Sequence, residues 1–167
     1  TVKIPIAFKL NPYFTALAHS AVRFDKAGAD ALVLFNRFLQ PDISVEKRRL
    51  MVSMPLSHPS EMLPSLRWIA ILYGRVKASL AASTGVHDVN GVIKQLLAGA
   101  QVVQLASTLV KHGLPYLSTL REGLEQWMDR EGHQAIDEFR GSLSQKGRLD
   151  PGAFERAQYV QLILSQN

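Results

Sequence analysis

The chain has 167 residues, of which 47% are hydrophobic and 20% charged, enough apolar material for one core of ordinary size and too much for a disordered segment. No apolar run approaches the roughly 20 residues of a membrane span, and the opening TVKIPIAFKL lacks the apolar core and cleavage site of a signal peptide, so neither secretion nor a membrane partner is expected. The net charge of +5 is spread along the chain, and its one basic cluster, Glu46-Lys47-Arg48-Arg49, carries its own acid, which argues against nucleic acid. The absence of cysteine removes disulfides, thiolate metal sites and thiol nucleophiles, and fits a reducing, cytoplasmic setting. The first residue is Thr1 rather than Met, as expected of a processed or truncated product.

In chain order, Pro5 to Leu10 follows a strand pattern, and Phe14, Leu17, Ala18, Ala21 and Phe24 then recur at helical spacing before Gly28, which is placed to end that helix. A second strand is expected at Ala31 to Asn36. Ser60 to Gly74 predicts a helix with Leu66, Ile69, Ala70 and Tyr73 on one face, and Val76 to Ala82 a third strand. Asp88 is a natural N-cap for a helix with the apolar stripe Val89, Val92, Ile93, Leu96 and Leu97, closed by Gly99. A fourth strand is expected from Val102 to Ser107. Pro115 then opens a helix burying Leu117, Leu120, Leu124, Trp127 and Met128, and two short helices, Gln134 to Arg140 and Pro151 to Leu164, finish the chain.

The segment Ala27 to Leu34 repeats the helix-end, turn and strand pattern of Ala98 to Leu105, seventy-one positions later. Strands alternating with helices predict an α/β fold with a parallel sheet covered by helices. Four such strands are half of an eight-stranded β/α barrel, whose usual length is about 250 residues. The expected organisation is therefore one partial barrel domain over residues 1–167, with 133–167 as a C-terminal helical extension.

Barrel chemistry sits beyond the carboxyl ends of the strands. In the first strand Ile4, Ile6, Phe8 and Leu10 share one face, and Ala7 and Lys9 the other; a charged Lys9 is unsuited to the helix layer, so its face should line the interior near the mouth. Asn36 ends the second strand, Ser83-Thr84-Gly85 follows the third and Ser107-Thr108 the fourth. Small residues in those two turns leave backbone N–H groups free to hold a phosphate. Taken singly, each has a plainer role: Lys9 as a snorkelling surface lysine, Asn36 as a turn residue, Ser83-Thr84-Gly85 as a loop before a helix cap, and Gln104 as a barrel-layer residue. Their joint placement at four successive strand ends favours function. The five histidines show no metal-ligand spacing, and no nucleophile elbow, P-loop or dinucleotide fingerprint is present.

In order along the chain, IAFKLNPYF, AGADALVLFNR, AASTGVHDVNGVIKQLLAGAQVVQLASTLVKHG and GLEQWMDREGHQAIDEFRGSLSQ resemble the C-terminal half of dihydroorotate dehydrogenase and its dihydroorotate dehydrogenase-like relatives. The resemblance covers essentially the whole chain. It rests on the F-K-L lysine, the strand-end Asn, the turn before the H-D helix, the AGA-x-x-V-Q strand and the G-H-x-x-I-x-x-F-x-G tail.

The resemblance implies an FMN-dependent oxidoreductase acting on a CH–CH bond of a small pyrimidine-like substrate, as in pyrimidine biosynthesis. It assigns cofactor binding to Lys9, Asn36, Ser83, Thr84, Gly85, Ser107 and Thr108. The phosphate would lie on the two turns, Lys9 would approach the flavin ring, and Asn36 would also bond the substrate. The family's general base, a Ser or Cys, lies upstream of the lysine strand, so no catalytic base is assigned and no metal is expected. Two positions depart from the family pattern: Thr84 stands where a first glycine is usual in the phosphate turn, and Arg37 where dihydroorotate oxidisers typically have Ser after the asparagine, as in the dihydroorotate dehydrogenase-like branch.

A half-barrel leaves two open sheet edges and an apolar inner face, so a homo-oligomer or pairing with an N-terminal half is expected. The alternatives are a non-catalytic phosphate-binding half-barrel or fragment that acts only on assembly, and another barrel enzyme with a different ligand in the same phosphate site.

Overall fold

A computed structural model describes residues 3–147 apart from Met54. The helix expected at Pro151 to Leu164, and with it much of the 133–167 extension, lies outside the described residues.

The elements in chain order are β1 (Ala7–Leu10), α1 (Leu17–Lys26), β2 (Ala31–Leu34), β3 (Asp42–Ser44), β4 (Arg49–Met51), α2 (Met62–Leu72), β5 (Ser79–Ser83), α3 (Val89–Ala98), β6 (Val102–Gln104), α4 (Ser107–His112) and α5 (Tyr116–Glu131). Strands β1, β2, β5 and β6 form one sheet in that order, with every neighbouring pair parallel. Parallel neighbours need crossovers, and α1, α2 and α3 supply them. This is the expected sheet of four strands with helices, the arrangement of part of a barrel.

Register separates the two faces. Leu10, Leu32, Leu34, Leu80 and Ala82 fall on one face and join Leu17 and Ala21 of α1 and Ile69, Ala70 and Leu72 of α2 in a single buried cluster. Each fully buried leucine of this layer contributes roughly 1.5–3 kcal/mol. The opposite face carries Lys9, Val33, Ala81 and Val102, and its edge residues Lys9 and Val102 are exposed. Among the described residues the sheet is thus sealed by helices on one side, while the other side buries its central Val33 and Ala81 and exposes its edges.

Polar side chains fix the strand entries. Asp25 at the end of α1 accepts hydrogen bonds from the N–H groups of Lys77 and Ala78, at 3.0 and 2.7 Å, just before β5. Asp30 accepts from Ile6 N–H at 2.7 Å, and Gln101 from Leu80 N–H at 2.7 Å. Asp88 caps α3 as expected, its Oδ1 accepting from Gly91 N–H at 2.7 Å, and Gly99 closes that helix.

Of the five residues expected on the buried face of the helix after Pro115, only Leu120 is buried and Leu117 is 45% exposed, and three further expectations change. The fourth strand stops at Gln104, and Ser107-Thr108 is the first turn of α4 rather than a turn before a later helix. Residues Gln134 to Arg140 form only a short 3₁₀ turn over Ile136–Glu138. There Phe139 packs edge-on against Trp127 at 4.9 Å, and Gly141 and Leu143 donate to the carbonyls of Leu96 and Leu97, both at 3.0 Å. These tertiary contacts hold the stretch in place of a helical ladder. Third, the basic cluster at 46–49 belongs to a hairpin, β3 paired antiparallel with β4, inserted between β2 and α2.

Candidate functional site

The carboxyl ends of the four parallel strands open into a cleft of about 560 Å³. Lys9, Asn36, Ser83, Thr84, Gly85, Ser107 and Thr108 all line it, so the structure brings together every residue singled out at the strand ends. Gln104 joins them. Pro55, Leu56 and Ser57, from the connection between the hairpin and α2, form a wall that the sequence reading did not anticipate.

Lys9 points from the open face of β1 and is exposed. Asn36 follows β2, its N–H held by the Leu10 carbonyl at 2.7 Å. Ser83 is the last residue of β5 and only 7% exposed. Thr84 and Gly85 both have left-handed backbones, with φ of +79° and +75°. The β-branched Thr84 adopts this conformation at a cost a glycine would not incur, partly offset by its hydroxyl donating to the Phe35 carbonyl at 3.3 Å. Gly85 has a second constraint. A Cβ there would lie 2.3 Å from the Met62 nitrogen and 2.8 Å from the Glu61 carbonyl carbon, so α2 begins directly on this glycine.

The hydroxyls at the fourth strand end are tied into the protein. Thr108, 1% exposed, donates to the Val86 carbonyl, and the Ser107 hydroxyl accepts from Ser57 N–H at 2.9 Å. These bonds lock the β5–α3 turn, the 55–57 wall and the start of α4 to one another. The Thr108 hydroxyl proton is thereby committed inside the protein rather than to the cleft.

Arg37, met in the sequence only as a departure, organises the other side. Its guanidinium forms a two-pronged pair with Glu61, Nε to Oε2 at 2.7 Å and an Nη to Oε1 at 3.2 Å, and it also donates to the Pro55 carbonyl. Glu61 Oε1 accepts from His58 N–H at 2.6 Å, completing a capping box on the 3₁₀ turn Pro59–Glu61 that leads into α2. Partial burial pushes the Glu61 carboxyl up, but the Arg37 hydrogen bond, the His58 N–H and the Arg37 charge together hold it below its ordinary value. The sequence carried only half of this signal, because Glu61 has the right spacing but His58 is not one of the Ser, Thr, Asp or Asn residues that mark a capping box. Arg37, Asn36, Pro55, Ser83 and Thr84 also border a second cleft of about 450 Å³, whose outer wall holds Tyr13 and Phe38.

The Ser57 hydroxyl lies 3.1 Å from His87 Nε2. Burial, then the nearby Lys111 charge, lowers the His87 pKa from its ordinary 6.5, so the ring is uncharged at neutral pH. Among the described residues no group of His, Asp or Glu is placed to hold a metal ion, and no helix is long and apolar enough to cross a membrane.

Arg37 lines the cleft with its charge paired to Glu61, so among the described residues Lys9 is the lining cation without a carboxylate partner, and none of the described residues lining the cleft is a carboxylate. Its polar atoms are hydroxyls, amides and backbone N–H groups. With Lys9 beside them, these donors can accept an anionic group.

No protein-family model matches the chain. Curated proteins do. The chain is 28% identical over 143 residues to the catalytic subunit of dihydroorotate dehydrogenase B (NAD(+)) of Caldicellulosiruptor saccharolyticus, covering 84% of this chain and 47% of that protein. It is 30% identical over 145 residues to the corresponding subunit of Methanothermobacter thermautotrophicus, covering 84% and 48%. In fold it is similar to DHODH from Eimeria tenella. The crystal structure of that protein in complex with ferulenol matches with a TM-score of 0.63 at 20% identity, covering 84% of this chain and 39% of that one. The ligand-free form gives 0.64 at 19% identity, covering 81% and 38%. The chain spans about half the length of the curated relatives it matches. From fold, strand-end cleft and sequence likeness together, the chain is a relative of the dihydroorotate dehydrogenases, consistent with the C-terminal half of such a protein.

Proposed function

We propose that this chain supplies the cofactor-phosphate side of an FMN-dependent oxidoreductase of the dihydroorotate dehydrogenase type. The observation that carries the reading is the convergence of Lys9, Asn36, Ser83, Thr84, Gly85, Ser107 and Thr108 on one cleft at four parallel strand ends. The lining fits an FMN: it carries Lys9 and several hydroxyls, has no carboxylate among its described residues, and is of a size usual for cofactor clefts.

In this reading the backbone around Thr84-Gly85 and the first α4 turn hold the phosphate, with Ser83 and Ser107 as neighbouring hydroxyls. Lys9 brings positive charge toward the ring, and Asn36 hydrogen-bonds the ring or a pyrimidine-like substrate beside it. The chemistry a bound flavin supplies is acceptance of a hydride from a substrate carbon. The matching proton acceptor, a Ser or Cys in this family, belongs to a stretch that precedes the Lys9 strand, and no residue of this chain is given that role. Pairing with an N-terminal half, or with a second copy across the open sheet face, completes the reading.

The test is titration of the purified chain with FMN, followed by flavin fluorescence. Saturable quenching is expected, with binding about fivefold to tenfold weaker in Lys9→Ala through loss of one charged contact. An FMN signal unchanged by the protein refutes the reading.

A further inference from the structure

We infer that His87 is a positioning residue that acts through Ser57: once protonated, it turns the Ser57 hydroxyl into a hydrogen-bond donor toward an anion in the cleft. The inference rests on the reading of the cleft as an anion site.

Ser57 lines the cleft and is only 4% exposed, whereas His87 is not among the cleft's lining residues. Ser57 N–H is already committed to the Ser107 hydroxyl at 2.9 Å, so the orientation of its own O–H is the freedom left. That hydroxyl has one proton, and its neighbour is His87 Nε2 at 3.1 Å. An uncharged imidazole with its lone pair on Nε2 takes the Ser57 proton as a hydrogen bond and leaves only oxygen lone pairs facing the cleft, which an anion avoids. An imidazolium carries a proton on Nε2 and donates to the Ser57 oxygen instead. The Ser57 proton then has no acceptor on the histidine side and is free to meet an anion, while the ring adds a charge behind it.

The surroundings of His87 define the balance. Lys111 and His112 of α4 oppose protonation by like charge, and Asp88 favours it, though its Oδ1 is also engaged as the cap acceptor for Gly91 N–H. Tyr116 of α5 donates its hydroxyl to the His87 carbonyl at 3.4 Å and so fixes the backbone rather than the ring. Burial and Lys111 keep the ring uncharged near neutrality. An anion in the cleft favours the protonated ring, and by linkage acidification then favours the anion.

The probe is sulfate, whose charge is constant across the window. It is titrated into the whole chain between about pH 5 and about pH 8, with the amide signals of Thr84 and Gly85 reporting binding and the His87 ring signals reporting its protonation. Affinity is expected to rise about tenfold on acidification, the value of one added charged hydrogen bond. Saturating sulfate is expected to raise the His87 pKa. His87→Gln and Ser57→Ala should each flatten the pH profile, and in Ser57→Ala the ring should still titrate. A flat profile in the unmodified chain, or an unchanged profile in His87→Gln, overturns the inference. If a variant does not fold, the sulfate-induced shift of His87 in the unmodified chain decides. Sulfate that binds at no pH overturns both this inference and the anion reading. Sulfate that binds with the expected profile to a chain that ignores FMN supports the inference and removes only the flavin.

Discussion

Replacing Gly85 by alanine separates two roles of that glycine, and the first is structural. The new Cβ would sit 2.3 Å from the Met62 nitrogen and 2.9 Å from its Cα, where ordinary contact needs more than 3.4 Å. These are backbone atoms at the start of α2, and the helix cannot simply retreat, because it buries Ile69, Ala70 and Leu72 in the main core. Overpacking of this kind costs about 1–3 kcal/mol, and a left-handed backbone on a residue with a Cβ about 1–2 kcal/mol more. Gly28 provides the control: its φ is +97° but no atom lies within 4 Å of its would-be Cβ, so Gly28→Ala carries the backbone cost alone. In urea denaturation with equal slopes, Gly85→Ala should fall below Gly28→Ala by about 1–3 kcal/mol, or very roughly 2–4 °C in Tm per kcal/mol. Equal losses in the two variants would refute the claim that α2 rests on Gly85. It also follows that failure of a Gly85 variant to bind FMN reports the fold of the turn, whereas Lys9→Ala tests the contact itself.

Thr84→Gly removes the strained left-handed threonine at the cost of a more flexible unfolded chain and one long hydrogen bond, so its stability should stay within about 1 kcal/mol of the parent; a larger loss by urea denaturation would show that the hydroxyl matters more than the backbone. Glu61 has a folded pKa below its ordinary 4.5, so the Arg37 pair contributes stability above that pH and loses it as pH falls through the folded value. Urea stability of the unmodified chain should therefore drop more steeply below about pH 4.5 than that of Glu61→Gln, and parallel curves would contradict this. Gln95 is fully buried in α3 with neither amide atom hydrogen-bonded among the described residues, so Gln95→Leu should raise stability by about 1–2 kcal/mol, and a decrease would show that the amide has a use. Riboflavin, which lacks the phosphate, should bind at least about tenfold more weakly than FMN in the same fluorescence titration; equal affinity would move the ligand away from the Thr84-Gly85 turn.

Much of this architecture was legible because it follows from periodicity and caps. The stripe of Val89, Ile93 and Leu96, bounded by Asp88 and Gly99, gives α3 to the residue, and alternation in IAFKL places Lys9 on the open face with Leu10 in the core. The hairpin at 42–51 was illegible for the converse reason. Its strands are three residues long and largely exposed, so burial imposes no alternation, and the charged turn between them reads as a basic cluster. The 3₁₀ turn at Ile136–Glu138 shows a third case, where helix-like spacing of Ile136, Phe139 and Arg140 is overridden by contacts to Trp127 and α3. At the site, the residues on strand ends were legible from position alone. Ser57 and His87 were not, since 30 residues separate them and only the fold brings their side chains to 3.1 Å.

The same geometry ranks the parts of the cleft by how firmly they are held. Thr84, Gly85 and Ser107 sit at the ends of β5 and β6, tied to α2 through Gly85, to the 55–57 wall through Ser57, and to the β5–α3 turn through Thr108. Lys9 has no comparable anchor among the described residues. It projects from β1, an edge strand of the sheet, onto a face that no helix among the described residues covers, and it is exposed. A rigid set of donors meets an anion without further ordering, while a flexible lysine gives up side-chain entropy to make its contact. Within this chain, then, the phosphate end of a ligand is the end that affinity should track, and Lys9 should tune it only modestly until a partner covers the open face. That asymmetry is why Lys9→Ala is expected to weaken FMN rather than abolish it, and why a small tetrahedral anion is a sufficient probe of the preorganised part.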